Sequence, residues 1–228
     1  MSHSLHFAEH TLQEAALLIM AIVYTTRLLW LTKFKAGKER QAATATGGVT
    51  SKKSIIYSWA NIAMPLAMES TRKKIILYLQ FVLFHIGVVA AIGLSFIIPY
   101  GHQLLNSPTM VTILQTTIGA ACLVGLIRIL RRISNPYLRA ISSPDDYFSL
   151  ILLTVWFFFA FLSVPNDVSR GESILLIYFT LTAFFLVYVP FSKISHYLYY
   201  PFTRYYLGKT FGRRGVYPLK RFPNEMKG

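Results

Sequence analysis

The sequence is poor in charge and almost free of cysteine. Charged residues make up 14% of the 228 residues, whereas a soluble domain carries about 25%. The single cysteine, Cys122, lies in an apolar run, which excludes an internal disulfide and a cysteine-ligated metal or iron–sulfur cluster. We interpret it as a small apolar packing residue. The sequence also lacks a Gly-rich phosphate loop, zinc-ligand spacing and a nucleophile elbow, and gives no indication of hydrolytic or phosphoryl-transfer chemistry.

Apolar residues are abundant instead, at 54% of the chain, and apolar runs of lipid length recur. About 20 helical residues cross the hydrocarbon core of a bilayer. The sequence therefore predicts an all-α membrane protein, a five-helix bundle over residues 1–206, followed by a basic tail over 207–228. The first run has no preceding Lys or Arg and no cleavage site after it, so we predict a retained span. The predicted helices are Thr11–Leu31, Ile75–Tyr100, Val111–Leu130, Tyr147–Val164 and a fifth that runs from Ser173 past Pro190 towards Tyr200.

Basic residues indicate the orientation. Of the 23 Lys and Arg residues, 21 fall after the first predicted helix, around the end of the third, or in the tail, all on one side of the membrane. The other two are Arg170 on the opposite side and Arg27 within the first helix. The positive-inside rule then predicts an outside N-terminus and a cytoplasmic C-terminus in the inner (cytoplasmic) membrane. Because the charge flanks membrane spans, it argues against nucleic-acid binding.

His85 lies deep in the second predicted helix. It follows Lys74 by eleven residues, which is about 16 Å along a helix. An ionisable side chain at that depth is a functional candidate. The alternative is a neutral histidine that is hydrogen-bonded to a neighbouring helix.

His196 lies at the predicted cytoplasmic end of the fifth helix, where a lone histidine is an ordinary interfacial residue. The second helix rises from the cytoplasm and the fifth descends to it, so both histidines are predicted in the cytoplasmic half. If the helices are neighbours, the two imidazoles could ligate one haem iron. Small residues nearby could make room for the macrocycle or allow close helix packing. They are Gly87, Ala90, Ala91, Gly93, Gly119, Ala120, Ala121 and Gly125.

Other polar candidates are weaker. His3, His6 and His10 have a helical spacing that could bind a metal, but we favour incidental exposed residues. Arg27 and Arg128 could each pair with a haem propionate or snorkel to the headgroups.

Two connections between the predicted helices have patterns of their own. The segment from Ser54 to Ser70, which contains Pro65, is predicted to be interfacial on the cytoplasmic face. The segment from Arg131 to Asp146 is predicted to be a turn-rich cytoplasmic loop.

Three segments resemble a known family. The chain is similar to the gamma, or cytochrome b, subunit of respiratory nitrate reductase and to its relatives in the Hmc, Dsr and Tmc membrane complexes of sulfate reducers. The likeness covers most of the chain, and the basic segment GKTFGRRGVYP (Gly208–Pro218) is most similar to the small Hmc-type member. The matching segments are FHIG (Phe84–Gly87), LRRISNPYLRAISSPDDYFSLILL (Leu130–Leu153) and PFSKISHYLYYPFTRYY (Pro190–Tyr206).

The resemblance implies two stacked b-type haems, each held by one histidine from the second helix and one from the fifth. His85 and His196 match the pair that ligates the iron of the cytoplasmic-side haem. At the positions of the outer pair this chain has Ser95 and Tyr178, neither of which normally replaces a histidine ligand. We therefore expect one haem b. The loss of the outer haem also puts an outer quinol site in doubt.

The expected function is non-catalytic electron transfer inside a respiratory complex, in the context of anaerobic respiration and sulfate reduction. Implied partners are a cytoplasmic iron–sulfur subunit, other integral membrane subunits, a periplasmic multihaem cytochrome c and menaquinone. The basic loops and tail are the expected docking surface. A haem-free anchor subunit is the alternative. A small transporter is a further rival, but it needs polar residues along a common path, and the predicted spans offer few besides Gln80, Gln115, Thr116, Thr117, Thr180 and Thr182.

Overall fold

The computed structural model describes residues 2–34, 37, 41–45, 51–64, 69–169 and 171–218, and its regular elements in those ranges are all helical. Helix α1 (His3–Lys33) contains a π-helical turn over Ala8–Leu12. The others are α2 (Ser51–Ala60), α3 (Glu69–Arg72), α4 (Ile75–Gly101), α5 (Pro108–Ser134), α6 (Pro136–Ala140), α7 (Pro144–Ser163), α8 (Ser173–Tyr188) and α9 (His196–Arg213). Short 3₁₀ turns occupy Asn61–Ala63, His102–Asn106, Val189–Phe191 and Lys193–Ser195.

Within the described residues, five helical segments are long and apolar enough to cross a membrane. This finding confirms the predicted number of spans and makes this a multi-pass membrane protein. The five segments are His3–Lys33, Ile75–Asn106, Pro108–Ser134, Pro144–Ser163 and Ser173–Phe191.

Local sequence signals explain where the helices begin. Pro108 and Pro144 each occupy the first turn of a helix, where the missing N–H costs nothing. At α7 the Ser143 and Asp146 side chains form a reciprocal capping box. The Asn135 side chain accepts hydrogen bonds from the backbone of Tyr137 and Leu138, which starts α6.

The fifth span ends earlier than predicted. It stops at Phe191, and Ser192 is extended with φ −99° and ψ 171°. Pro190 lacks the N–H that a continuing helix needs, and the Ser192 hydroxyl accepts a hydrogen bond from the Ile194 backbone at 3.1 Å. The prediction of one helix towards Tyr200 is therefore wrong, and α9 is a separate helix.

The two predicted connections are more regular than expected. Much of the segment 131–146 is helical, because α5 continues to Ser134 and α6 follows directly. In the segment 54–70, α2 and a 3₁₀ turn reach Ala63, while Pro65 lies outside the described residues.

The chain divides into two compact units. The first unit comprises residues 1–32 and 79–194, and the second comprises 33–78 and 195–228. The predicted boundary after residue 206 falls inside α9, and residues 219–228 of the predicted tail lie outside the described residues.

The first unit is built on close contact between α4, α5, α7 and α8. Its core side chains include Leu94, Ile118, Phe157 and Phe179, each with no exposed surface. Helix α1 is attached at Gln13, whose Nε2 donates to the Phe179 carbonyl at 2.8 Å. Apolar side chains also cover the outside of the helices, as expected for surfaces that face lipid.

In the second unit, helices α2 and α9 meet through small residues. Ser54 and Ser58 are fully buried, and they face Gly208 and Gly212. A Cβ at Gly208 would lie 2.6 Å from the Ile55 Cα. This spacing of small residues lets two helix backbones approach closely.

Candidate functional site

His85 is partly buried on α4, and its ring has a defined hydrogen bond. Its Nδ1 lies 2.7 Å from the Phe81 carbonyl oxygen. A carbonyl only accepts, so Nδ1 carries the hydrogen and Nε2 of the neutral ring carries the lone pair. Metal-ligating histidines typically use this arrangement, because the second hydrogen bond fixes the tautomer and orients the ring. The hydrogen bond to Phe81 therefore orients the His85 ring against its own helix.

Aromatic rings surround His85. The centroid of the Phe81 ring lies 4.2 Å from that of His85, and the Phe84 ring lies 6.1 Å away, edge-on. Phe84 is itself 6% exposed and packs edge-on against Phe157. The histidine thus borders the apolar core of the first unit.

The small residues near His85 have different roles. Gly87 allows α4 and α5 to touch, because an added Cβ would clash with Ala121. Gly125 likewise lies against the Thr154 side chain, and a Cβ at Gly119 would lie 3.1 Å from the Phe161 ring. Around Gly93 there is no atom within 4 Å of an added Cβ among the described residues. Close helix packing, one of the two alternatives, therefore accounts for Gly87, Gly119 and Gly125.

Ser95 and Tyr178, which the sequence resemblance matches to an outer histidine pair, belong to a filled core. Tyr178 has no exposed surface, and its hydroxyl donates to the Ala91 carbonyl at 2.6 Å. The Ser95 hydroxyl donates to the Ile92 carbonyl at 2.8 Å, and the Ser95 and Tyr178 side chains are close enough to interact. These residues do not fit a haem, because side chains with satisfied hydrogen bonds occupy the space between them.

Trp156 completes that layer. Its indole N–H donates to the Thr182 hydroxyl at 2.9 Å, and Thr182 in turn donates to the Tyr178 carbonyl at 2.7 Å. The sequence reasoning missed this chain of hydrogen bonds. The signal that could have found it is the set of polar groups on three apolar helices, since buried polar groups are expected to pair.

The two intramembrane arginines differ in their surroundings. The Arg27 guanidinium donates to the Pro190 carbonyl and lies over the Phe191 ring, 5.4 Å from its centroid. The Arg128 guanidinium lies over the Phe84 ring at 5.1 Å. Arg27 thus ties the first span to the end of the fifth, whereas Arg128 turns towards the residue next to His85.

His196 is the first residue of α9 and is exposed. It belongs to the second unit, whereas His85 belongs to the first. Within the second unit, side-chain hydrogen bonds to backbone carbonyls hold α9 to α2. The Trp59 indole N–H donates to Pro201 at 2.9 Å, and Arg204 Nε donates to Ser58 at 2.7 Å.

A polar network that the sequence analysis did not anticipate lies where α5, α7 and the end of the fifth span meet. The Asp146 carboxylate accepts from Lys193 Nζ at 3.0 Å and lies 3.9 Å from Arg132 Nη1. Lys193 also donates to the Ser143 hydroxyl at 2.8 Å. The capping box that starts α7 is therefore also a junction between three parts of the first unit.

A cavity of about 290 Å³ is lined by residues of α1, of α4 and the turn that follows it, and of the segment after α7. Glu9 lines it and is only 2% exposed. His10, His102 and Asn166 also contribute polar groups to the wall. Glu9 and His10 belong to the π-helical turn Ala8–Leu12, which was not predicted. Among the described residues no group of three or more His, Cys, Asp or Glu side chains could hold a metal.

Three of the four threonines considered for a transport path are hydrogen-bonded within their own helices. The hydroxyls of Thr116, Thr180 and Thr182 donate to carbonyls four residues earlier, at 2.7 Å in each case. Such back-bonding satisfies the hydroxyl within the helix. This arrangement does not favour a polar path through the membrane.

Comparison with known proteins gives one distant relative. A protein of Nitratidesulfovibrio vulgaris strain Hildenborough is 27% identical over 211 residues, which is 87% of this chain and 87% of the relative. Its name states no function. No family model and no solved structure matches the chain.

Proposed function

We propose that the chain is a cytochrome b-type membrane subunit of a respiratory redox complex, in which one haem b relays electrons. His85 carries the proposal: inside a membrane span its Nδ1 is hydrogen-bonded to the Phe81 carbonyl, an arrangement typical of metal-ligating histidines. The resemblance of the segments around His85 and His196 to nitrate reductase gamma-type subunits supports the same function.

The residues present fit a haem at His85 in their chemistry. A neutral imidazole suits iron, and an apolar, aromatic environment suits a macrocycle. His196 is proposed as the second axial ligand, on the basis of the sequence match alone. The haem would supply one-electron redox chemistry, and the chain would supply the ligands, the burial and the charges that set the potential.

We propose a single haem. Ser95 and Tyr178 replace the outer histidines, and the core around Tyr178 is packed with Trp156 and Phe157. A second macrocycle would have to displace those side chains. Removing a buried aromatic residue costs about 3 to 5 kcal/mol, so the packed layer supports a stoichiometry of one.

The proposed orientation has the N-terminus outside and the C-terminus in the cytoplasm of a cell with an inner membrane, following the distribution of basic residues. An acidic cytoplasmic iron–sulfur subunit would then meet a basic surface. Electrons would pass between that subunit and a second partner in the membrane. The second partner would be menaquinone or another membrane subunit, and that subunit would itself be linked to a periplasmic multihaem cytochrome c.

Haem counting tests the proposal. We expect a pyridine haemochrome assay on the purified chain to find one haem b per chain. His85→Ala and His196→Ala should each abolish the low-spin spectrum, while His102→Ala, at an exposed position, should leave it unchanged. A purified wild-type chain without haem would refute the proposal and leave the haem-free anchor. Haem retained in the double variant His85→Ala, His196→Ala would refute the ligand assignment.

A further inference from the structure

Helix α5 carries a positive charge inside its membrane span at Arg128. Its guanidinium lies 5.1 Å from the centroid of the Phe84 ring, and Phe84 is 6% exposed. A snorkelling arginine would extend towards the headgroups, whereas Arg128 is directed at a core residue. An ionisable side chain in that setting is expected to have a functional partner.

Two other partly buried arginines of the first unit, Arg27 and Arg132, have such partners. Arg27 donates to the Pro190 carbonyl, and Arg132 donates to the Ser142 hydroxyl at 2.6 Å. For Arg128 no hydrogen bond or ion pair is found with any residue that the structure describes, and its ring contact with Phe84 leaves its N–H donors unused.

The local charge makes an anion the matching ligand. Arg131 and Arg132 follow Arg128 by three and four residues, the spacing that places side chains on one side of a helix. Three like charges repel one another, and Asp146 lies near Arg132 rather than Arg128. An anion beside Arg128 would relieve both the repulsion and the unsatisfied donors.

We propose that Arg128 binds a propionate carboxylate of the haem that His85 ligates, an inference that rests on the proposed function. Phe84 connects the two, because its ring contacts the Arg128 guanidinium at 5.1 Å and the His85 ring at 6.1 Å. A propionate extends from the edge of the macrocycle, so its partner belongs beside the axial ligand. The planar guanidinium matches a carboxylate with two parallel hydrogen bonds.

A lipid phosphate is also an anion that the Arg128 guanidinium can bind. The following experiment distinguishes a haem propionate from a lipid phosphate. A positive charge at the propionate stabilises the ferrous haem, which holds one more electron. In Arg128→Gln we expect the midpoint potential of the haem that stays bound to fall. At the wild-type midpoint potential, the ratio of reduced to oxidised haem should fall at least about threefold.

Arg131→Gln is the matched control, because it removes the same charge from an exposed position three residues away. We expect it to leave the potential nearly unchanged. Arg128→Lys keeps the charge but not the two-point geometry, so its potential should lie near that of the wild type while the propionate bands in resonance Raman spectra shift. That variant also tests the proposal if Arg128→Gln does not fold.

The outcomes distinguish this inference from the proposed function. A wild-type chain without haem overturns both. Haem with an unshifted potential and unshifted propionate bands in the Arg128 variants overturns the inference alone. A loss of copurified anionic lipid in those same variants would then assign the anion to a lipid phosphate. Equal shifts in Arg128→Gln and Arg131→Gln would also overturn it, because they would indicate a general surface-charge effect.

Discussion

The Tyr178 hydroxyl on α8 donates a hydrogen bond of 2.6 Å to the backbone carbonyl of Ala91 on α4. Both residues have no exposed surface. The Ala91 carbonyl lies within α4, so it accepts a hydrogen bond from the Tyr178 hydroxyl in addition to the backbone hydrogen bond of the helix. The contact joins two spans, and it provides a direct test of how that layer is held.

Replacing Tyr178 with Phe should destabilise the first unit. The change removes the donor and keeps the ring, so the packing with Trp156 is retained. We expect a loss of about 1 to 3 kcal/mol in the free energy of unfolding, measured by titration with SDS in mixed micelles. Tyr137→Phe, at a residue that is 81% exposed, should change little, and an equal effect of both variants would contradict the assignment.

Two glycines of α4 should respond in opposite ways to alanine. Gly87→Ala should lower the melting temperature in detergent, because the new methyl group would clash with Ala121 and separate α4 from α5. Gly93→Ala should not, because its added methyl group meets no atom within 4 Å among the described residues. A Gly87→Ala variant as stable as Gly93→Ala would show that the two helices are further apart than described.

The start of α7 should depend on its cap. Ser143→Ala removes the hydroxyl of the capping box and the acceptor of the Lys193 hydrogen bond. We expect a loss of about 1 kcal/mol in unfolding free energy. The control is Ser134→Ala, since Ser134 is exposed near the end of α5. Unchanged stability in Ser143→Ala would mean that the cap and the ionic junction do not act together.

The proposed orientation can be tested with single cysteines. Cys122 is the native cysteine, so a Cys122→Ala background removes it. A membrane-impermeant maleimide should label Ser107→Cys, between α4 and α5, in intact cells. It should label Ala140→Cys, on α6, only after the cells are opened. The reverse pattern would place the N-terminus in the cytoplasm.

The spans were predictable because lipid imposes a simple length and composition rule. Ile75 is the first residue of α4 in both the prediction and the structure. The start of α5 was placed three residues late, at Val111, because Pro108 was not used as a helix-starting signal.

The end of the fifth span was harder to predict. Tyr188 and the aromatic residues after Pro190 continue the apolar pattern, and composition does not reveal that Ser192 becomes extended. The break depends on Pro190 and on a side-chain hydrogen bond of Ser192. A hydropathy value averaged over many residues does not detect such single-residue features.

The site was predictable in part. Depth alone singled out His85, but its tautomer depends on the Phe81 carbonyl, which sequence does not orient. Arg27 and Arg128 looked equivalent as sequence features. They differ because one meets a carbonyl and the other an aromatic face, and those contacts come from three-dimensional packing.

The pairing of α2 with α9 has a consequence for biosynthesis. The residues that join them, Ser58 and Arg204, are 146 positions apart, so α2 leaves the ribosome long before its partner exists. Until α9 is made, Ser54 and Ser58 of α2 cannot pack against Gly208 and Gly212. During that time lipid, a chaperone or another subunit has to cover this side of α2. The second unit can therefore form only after α9 has been synthesised, and a chain that stops short of α9 would lack it.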